Sequence, residues 1–93
     1  MNELENLRAR IDAIDKELIT LFEKRMETVH NIAEYKTANN LPVLNQGRED
    51  AIISKVSDSI KNKEYLGSAT DFIKYIMAIS RKYQEKFISE KNN

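Results

Sequence analysis

The sequence predicts an all-α protein of three helices, the first very long, interlaced with a second copy of the chain as a homodimeric helical bundle. Three observations predict it. The 93 residues contain only two glycines and one proline, so long stretches lack a helix breaker. Apolar residues recur at alternating spacings of three and four, the period of a helix face and not of a strand. The first helix is also longer than a lone domain of this size can cover.

Residues 2 to 39 hold neither glycine nor proline. Within them Leu4, Leu7, Ile11, Ile14, Leu18 and Leu21 form an amphipathic or coiled-coil seam, which continues through Val29 and Ile32. Asn39, Asn40 and Pro42 end the helix, because asparagine suits helix ends and proline cannot continue one. A loop from Asn39 to Gly47 follows. The second helix begins near Asn45 or Gln46, with Asn45 as N-cap and Glu49 and Asp50 in the first turn. It runs through Ile52, Ile53, Val56 and Ile60 to about Asn62. Gly67 marks the next break. Ser68-Ala69-Thr70-Asp71 reads as a variant capping box, and the third helix spans about Ala69 to Ser89. The tail Glu90 to Asn93 is expected to fray.

The dimer follows from length. About 36 residues at ~1.5 Å each span roughly 54 Å. A compact chain of this size has a radius of gyration near ~12 Å, hence a diameter of about 30 Å. The helix overhangs its own domain, and a second copy of the chain is the simplest cover for its seam. The alternative, a helix broken near Lys24 to Glu27, has no glycine or proline to support it.

Composition bounds the function. The whole chain, residues 1–93, is read as one domain. Lysine plus arginine equals aspartate plus glutamate at 15 each, which argues against a nucleic-acid binder. No apolar run is long enough to cross a membrane. Met1 to Glu5 is acidic and unlike a signal peptide, so a cytoplasmic location is expected. Without cysteine there is no thiol nucleophile or zinc-thiolate site.

The informative residues are polar ones that interrupt the seams. Arg25 takes the seam position after Leu21, and Lys36 lies 11 residues on, almost three whole turns, so the two point in nearly the same direction. Arg8 lies beside the seam. In the third helix Ser80 and Gln84 are one turn apart on the face that should be buried, and Arg48 and Glu49 open the second helix. Each also has a structural account. Arg25 and Lys36 drift toward solvent if the helix leaves the heptad seam, Ser80 and Gln84 satisfy a core, and Glu49 complements a helix N-terminus. The single histidine, His30, has no obvious partner. Taken together the set offers three or four cations, one carboxylate, one amide and one hydroxyl, with no nucleophile–base pair and no metal-ligand spacing. It suits a small polyanion held by charge-assisted hydrogen bonds. Any catalysis would be electrostatic and conformational.

In order and spacing these residues resemble the AroQ class of chorismate mutases over nearly the whole chain, from about Leu4 to Phe87. The resemblance is carried by the stretch Leu7 to Asp15, by Leu21-Phe22-Glu23-Lys24-Arg25, and by Ile32-Ala33-Glu34-Tyr35-Lys36. Pro42-Val43 with Arg48-Glu49, and then Ser80 with Gln84, complete it. It implies an interlaced dimer and the Claisen rearrangement of chorismate to prephenate, with no cofactor or metal. It further implies that Arg25 binds one substrate carboxylate, that Arg8 reaches across from the other subunit to a carboxylate, and that Lys36 contacts a carboxylate and the ether oxygen. Gln84 would donate to the same oxygen, Ser80 and Arg48 would support the carboxylate end and the wall, and Glu49 would accept from the ring hydroxyl. Asn45 departs from the pattern, standing where some members carry an aspartate that helps hold the hydroxyl.

Two other functions fit the same residues. One is isochorismate-pyruvate lyase of the same fold, against which the Arg48-Glu49 pair argues. The other is a non-catalytic helical dimerisation or regulatory module. The sequence leaves open whether the chain works alone or docks on another shikimate-pathway enzyme.

Overall fold

A computed structural model of the chain describes residues 2–92. Helix α1 spans Glu3–Ala38 as 36 unbroken residues, so the alternative break near Lys24 does not occur. Asn2 caps it by accepting from the Glu5 amide at 2.8 Å, and Glu3 and Glu5 put acid at the positive end of the helix dipole. The far end closes as a Schellman motif. The Leu41 amide donates to the Lys36 carbonyl at 2.9 Å and the Asn40 amide to that of Thr37 at 3.5 Å, while Asn40 takes the left-handed conformation with φ of 53°. The molecule measures 55 × 27 × 14 Å with a radius of gyration of 16.8 Å, well above the ~12 Å of a compact chain of this length.

Helix α2 spans Gln46–Ser59. Asn45 is its N-cap, accepting from the Arg48 amide at 3.0 Å. The helix stops short of Asn62 because Ile60 is extended and Asn62 caps the next element, accepting from the Glu64 amide at 3.0 Å. That element is a single 3₁₀ turn, Lys63–Tyr65, whose Lys63 ammonium donates back to the Ser57 carbonyl at 2.9 Å.

Helix α3 spans Leu66–Lys91, which corrects the expected start at Ala69. The 3₁₀ turn feeds straight into it, so the chain has already reversed before Gly67, and Gly67 is a helical residue with no positive φ. The capping box does not form. Thr70 lies within the helix and its hydroxyl donates to the Leu66 carbonyl at 3.0 Å. Glu90 and Lys91, expected to fray, are helical; Met1 and Asn93 lie outside the described residues.

Both α1 and α2 pack on α3. Among the described residues there is no strand, and no helix is long and apolar enough to cross a membrane. Among the described residues the buried apolar side chains are Val29, Ala33 and Met77, joined by the polar Ser80 and Gln84. The seam residues Leu4, Leu7, Ile11, Ile14, Leu18 and Leu21 are all exposed, from 43% at Leu7 to 61% at Leu21.

Candidate active site

The C-terminal half of α1, the start of α2 and the middle of α3 enclose a cleft of about 230 Å³. Helix α1 contributes Arg25, Val29, Ile32 and Lys36. The loop contributes Val43 and Asn45, α2 contributes Arg48, Glu49 and Ile52, and α3 contributes Met77, Ser80, Arg81 and Gln84. Seven of the eight residues singled out in the sequence therefore share one cavity. Arg8 is the exception. It is exposed on the overhanging half of α1, 17 residues or about 25 Å before Arg25.

Arg25 is partly withdrawn from water, and that burial lowers its pKa from the usual guanidinium value. Its protein partner is neutral: Nη1 donates to Ser80 Oγ. The Ser80 hydroxyl in turn donates to the Ile76 carbonyl at 2.9 Å. The serine proton is thus committed to the backbone, and the oxygen orients Arg25 rather than attacking anything. The guanidinium keeps further N–H donors for a guest. A partly desolvated cation whose protein partner is a neutral hydroxyl has the chemistry to pair with an anion.

Lys36 is the junction of the cleft. Nζ donates to the Val43 carbonyl at 2.7 Å and to Gln84 Oε1 at 3.0 Å. The helix end at Asn40 makes this possible, since the Schellman turn carries the loop back over its own last turn. Two of the three ammonium hydrogens are used and one is left. The bond to Oε1 fixes the Gln84 amide, leaving the Nε2 donors for another acceptor. Gln84 is 6% exposed, so these donors are largely shielded from bulk water. Asn45 caps α2 as its position predicts, its Oδ1 accepting from the Arg48 amide, and it also lines the cleft.

Glu49 does more than complement a helix dipole. Both of its carboxylate oxygens accept from Arg81 Nη1 at 2.5 Å. The sequence reading passed over Arg81. The signal was its register: it lies four residues after Met77 and three before Gln84, both buried, so it shares their face. His30 likewise has partners that the sequence did not suggest. Its Nδ1 lies 2.7 Å from the Tyr83 hydroxyl and its Nε2 lies 3.1 Å from Glu34, with Phe87 edge-on. The groove beside His30 is larger, about 640 Å³, but carries Glu23 and Glu27 and no lysine or arginine, which does not suit a polyanion.

Fold and cleft together define an all-helical protein that gathers cations and an amide side chain around one small cleft. The chain belongs to the chorismate mutase type II family, whose match runs over residues 7–85 and so takes in every residue of the cleft as well as Arg8. It is 35% identical to the T-protein of Enterobacter agglomerans over 95% of this chain and 22% of that protein. It is 32% identical to a bifunctional chorismate mutase/prephenate dehydratase of Buchnera aphidicola over 96% of this chain and 23% of that protein. A 4-amino-4-deoxychorismate mutase of Streptomyces venezuelae is 38% identical over 50% of this chain and 46% of that protein. The chain thus spans less than a quarter of the length of the T-proteins and bifunctional enzymes that it matches. No solved structure gives a significant match.

Proposed function

We propose that the protein is a chorismate mutase that converts chorismate to prephenate, working as a homodimer with shared active sites. The observation that carries this reading is the convergence of Arg25, Lys36 and Gln84 on one cleft, with Arg25 partly buried and lacking a carboxylate partner. Chorismate is a dicarboxylate ether. Its rearrangement breaks one C–O bond and forms one C–C bond within the same molecule, so no proton, electron or group is exchanged with the protein.

Catalysis on this reading is differential binding. Arg25, oriented by Ser80, anchors one carboxylate, and Arg48 at the mouth supports the binding of the dianion. Apolar walls from Val29, Ile32 and Ile52 hold the substrate in the compact conformer that brings its ends together. As the C–O bond breaks, negative charge grows on the ether oxygen. The remaining Lys36 hydrogen and the Gln84 Nε2 donors meet that charge more strongly in the transition state than in the ground state. Glu49 accepts from the ring hydroxyl.

The homodimer is supported by the exposed seam and the slight core. Val29, Ala33 and Met77 are too little apolar burial to hold three helices. Half-burying six large apolar side chains would contribute on the order of 5 kcal/mol per chain. The same pairing would bring Arg8 of one protomer to the cleft of its partner, supplying the second carboxylate anchor. A cytoplasmic location and work beside an enzyme that consumes prephenate belong to the same reading, since the bifunctional relatives join a mutase to a prephenate dehydratase in one chain. The test is direct: purified protein is given chorismate and prephenate is followed. Formation of prephenate supports the assignment. Salicylate from isochorismate with no prephenate would transfer it to the lyase, and turnover of neither would leave a binding module.

A further inference from the structure

Arg81 has no part in the rearrangement just described, yet it lies in the wall of the same cleft and pairs with Glu49. Glu49 is the one carboxylate lining that cavity, against the cations Arg25, Lys36, Arg48 and Arg81. Its side chain is 17% exposed and that of Arg81 31%, so the pair is partly shielded from water and only weakly screened by salt. Both Glu49 oxygens accept from one Arg81 nitrogen, which holds the carboxylate against the guanidinium and offsets its negative charge with a positive one. Asn45, at the same end of the cleft, is neutral. The cleft therefore offers no unpaired negative charge anywhere along its lining.

That arrangement has a consequence for the ring substituent. A hydroxyl needs an oriented acceptor and no net charge. An aliphatic amine at the same carbon is an ammonium near neutral pH, and it would enter a site whose cations repel it and whose single anion is already neutralised. Building that amine's own recognition would need a free carboxylate.

We propose that Arg81 is a positioning residue that sets substrate choice: by pairing with Glu49 it orients an acceptor for a ring hydroxyl and rejects an ammonium group in its place. The inference rests on the chorismate mutase reading and deepens it. The comparison substrate is 4-amino-4-deoxychorismate, the substrate named for the Streptomyces venezuelae relative.

The experiment measures kcat/KM for chorismate and for 4-amino-4-deoxychorismate with the wild type, Arg81→Met and Arg81→Lys. Hydrogen bonds to charged groups carry enough free energy for the wild type to favour chorismate by about tenfold or more. Arg81→Met, which frees the Glu49 carboxylate, is expected to narrow that ratio by about tenfold, with part of the change a gain on the amino substrate. Arg81→Lys, which keeps the charge, is expected to hold the preference within about threefold of wild type. A purely structural Arg81 would lower both rates together and leave the ratio where it was, which would overturn the proposal. So would a wild type that accepts the amino substrate equally well, a result that needs no variant to fold. If Arg81→Met does not fold, the wild-type ratio and the Arg81→Lys ratio decide. Turnover of neither substrate by the wild type would instead remove the mutase reading, and this proposal with it.

Discussion

Replacing Lys36 with methionine tests the centre of the mechanism. The substitution keeps an unbranched apolar stem and removes the ammonium. Two hydrogen bonds are lost, the 2.7 Å bond to the Val43 carbonyl and the 3.0 Å bond to Gln84 Oε1. Bonds from a charged donor contribute about 1.5–3 kcal/mol each, but the variant also avoids withdrawing a cation from water. The net loss of stability should be only about 1–2 kcal/mol. Activity should fall far more. A donor aimed at an oxygen that gains charge in the transition state is worth ~2.7–4 kcal/mol, or ~10²–10³ in kcat. Gln84 loses the bond that fixes its amide, so the second donor is impaired as well. Steady-state kinetics of prephenate formation, with urea unfolding of the same preparation, separates the two effects. We expect kcat to drop by about 10²–10³ with a smaller change in KM. A folded variant with kcat within about threefold of wild type would refute the assignment of the ether-oxygen donor. A loss confined to KM would make Lys36 a ground-state binder instead.

Four further outcomes follow from the same structure. Ile14→Glu puts a charge in the middle of the exposed seam and should shift sedimentation equilibrium from twice the chain mass to the 10.8 kDa monomer, with loss of turnover; an active dimer would refute the seam as the interface. Arg8→Ala and Arg25→Ala proteins, each poor alone, should regain partial activity when mixed and allowed to exchange subunits, because one site of the heterodimer carries both arginines. No recovery despite demonstrated exchange would rule out a shared site. Gly67→Ala places a Cβ where nothing lies within 4 Å in a helix that does not need glycine, so stability should rise by about 0.5 kcal/mol and Tm by roughly 2–4 °C; an unchanged or lower Tm would refute this. Asn45→Ala removes the α2 cap and should cost about 1 kcal/mol in denaturant unfolding, whereas Asn45→Asp, which keeps the capping oxygen, should unfold close to wild type.

What the sequence made legible was local or periodic. The alternation of three and four carried α1 over 36 residues because nothing in it breaks a helix. Arg25 and Lys36 could be placed on one side because 11 residues are nearly three turns. Ser80 and Gln84 stood out because two polar groups interrupted an apolar stripe. What escaped was tertiary. Glu49 and Arg81 are 32 residues apart on different helices, and His30 and Tyr83 are 53 apart; no spacing rule links either pair. The start of α3 was misread for a related reason. Gly67 looked like punctuation, but extended Ile60 and the turn capped by Asn62 had already reversed the chain. The cap by Asn45 was visible from position alone, because an asparagine just ahead of an acidic first turn suits a helix N-terminus.

Gathering Arg25, Lys36, Arg48 and Arg81 around one small cleft works against folding, because like charges repel and Arg25 has lost part of its hydration. The protein offsets this with neutral acceptors and not with carboxylates: Ser80 for Arg25, the Val43 carbonyl and Gln84 for Lys36. Only Arg81 has an acid. Neutral partners orient the cations without consuming their charge, so on the proposed function the field stays directed at the dianion. That choice leaves the cations under-compensated by the protein's own groups, and the slight core of a single chain supplies little to hold them together. On the proposed function the missing stabilisation has two sources, the seam of α1 against a second chain and the substrate dianion itself. A substrate-like dicarboxylate should therefore raise Tm through binding that satisfies the cations, and the rise should shrink in Arg25→Ala more than in Arg81→Met. Equal rises in both variants would mean that Arg25 is not the anchor.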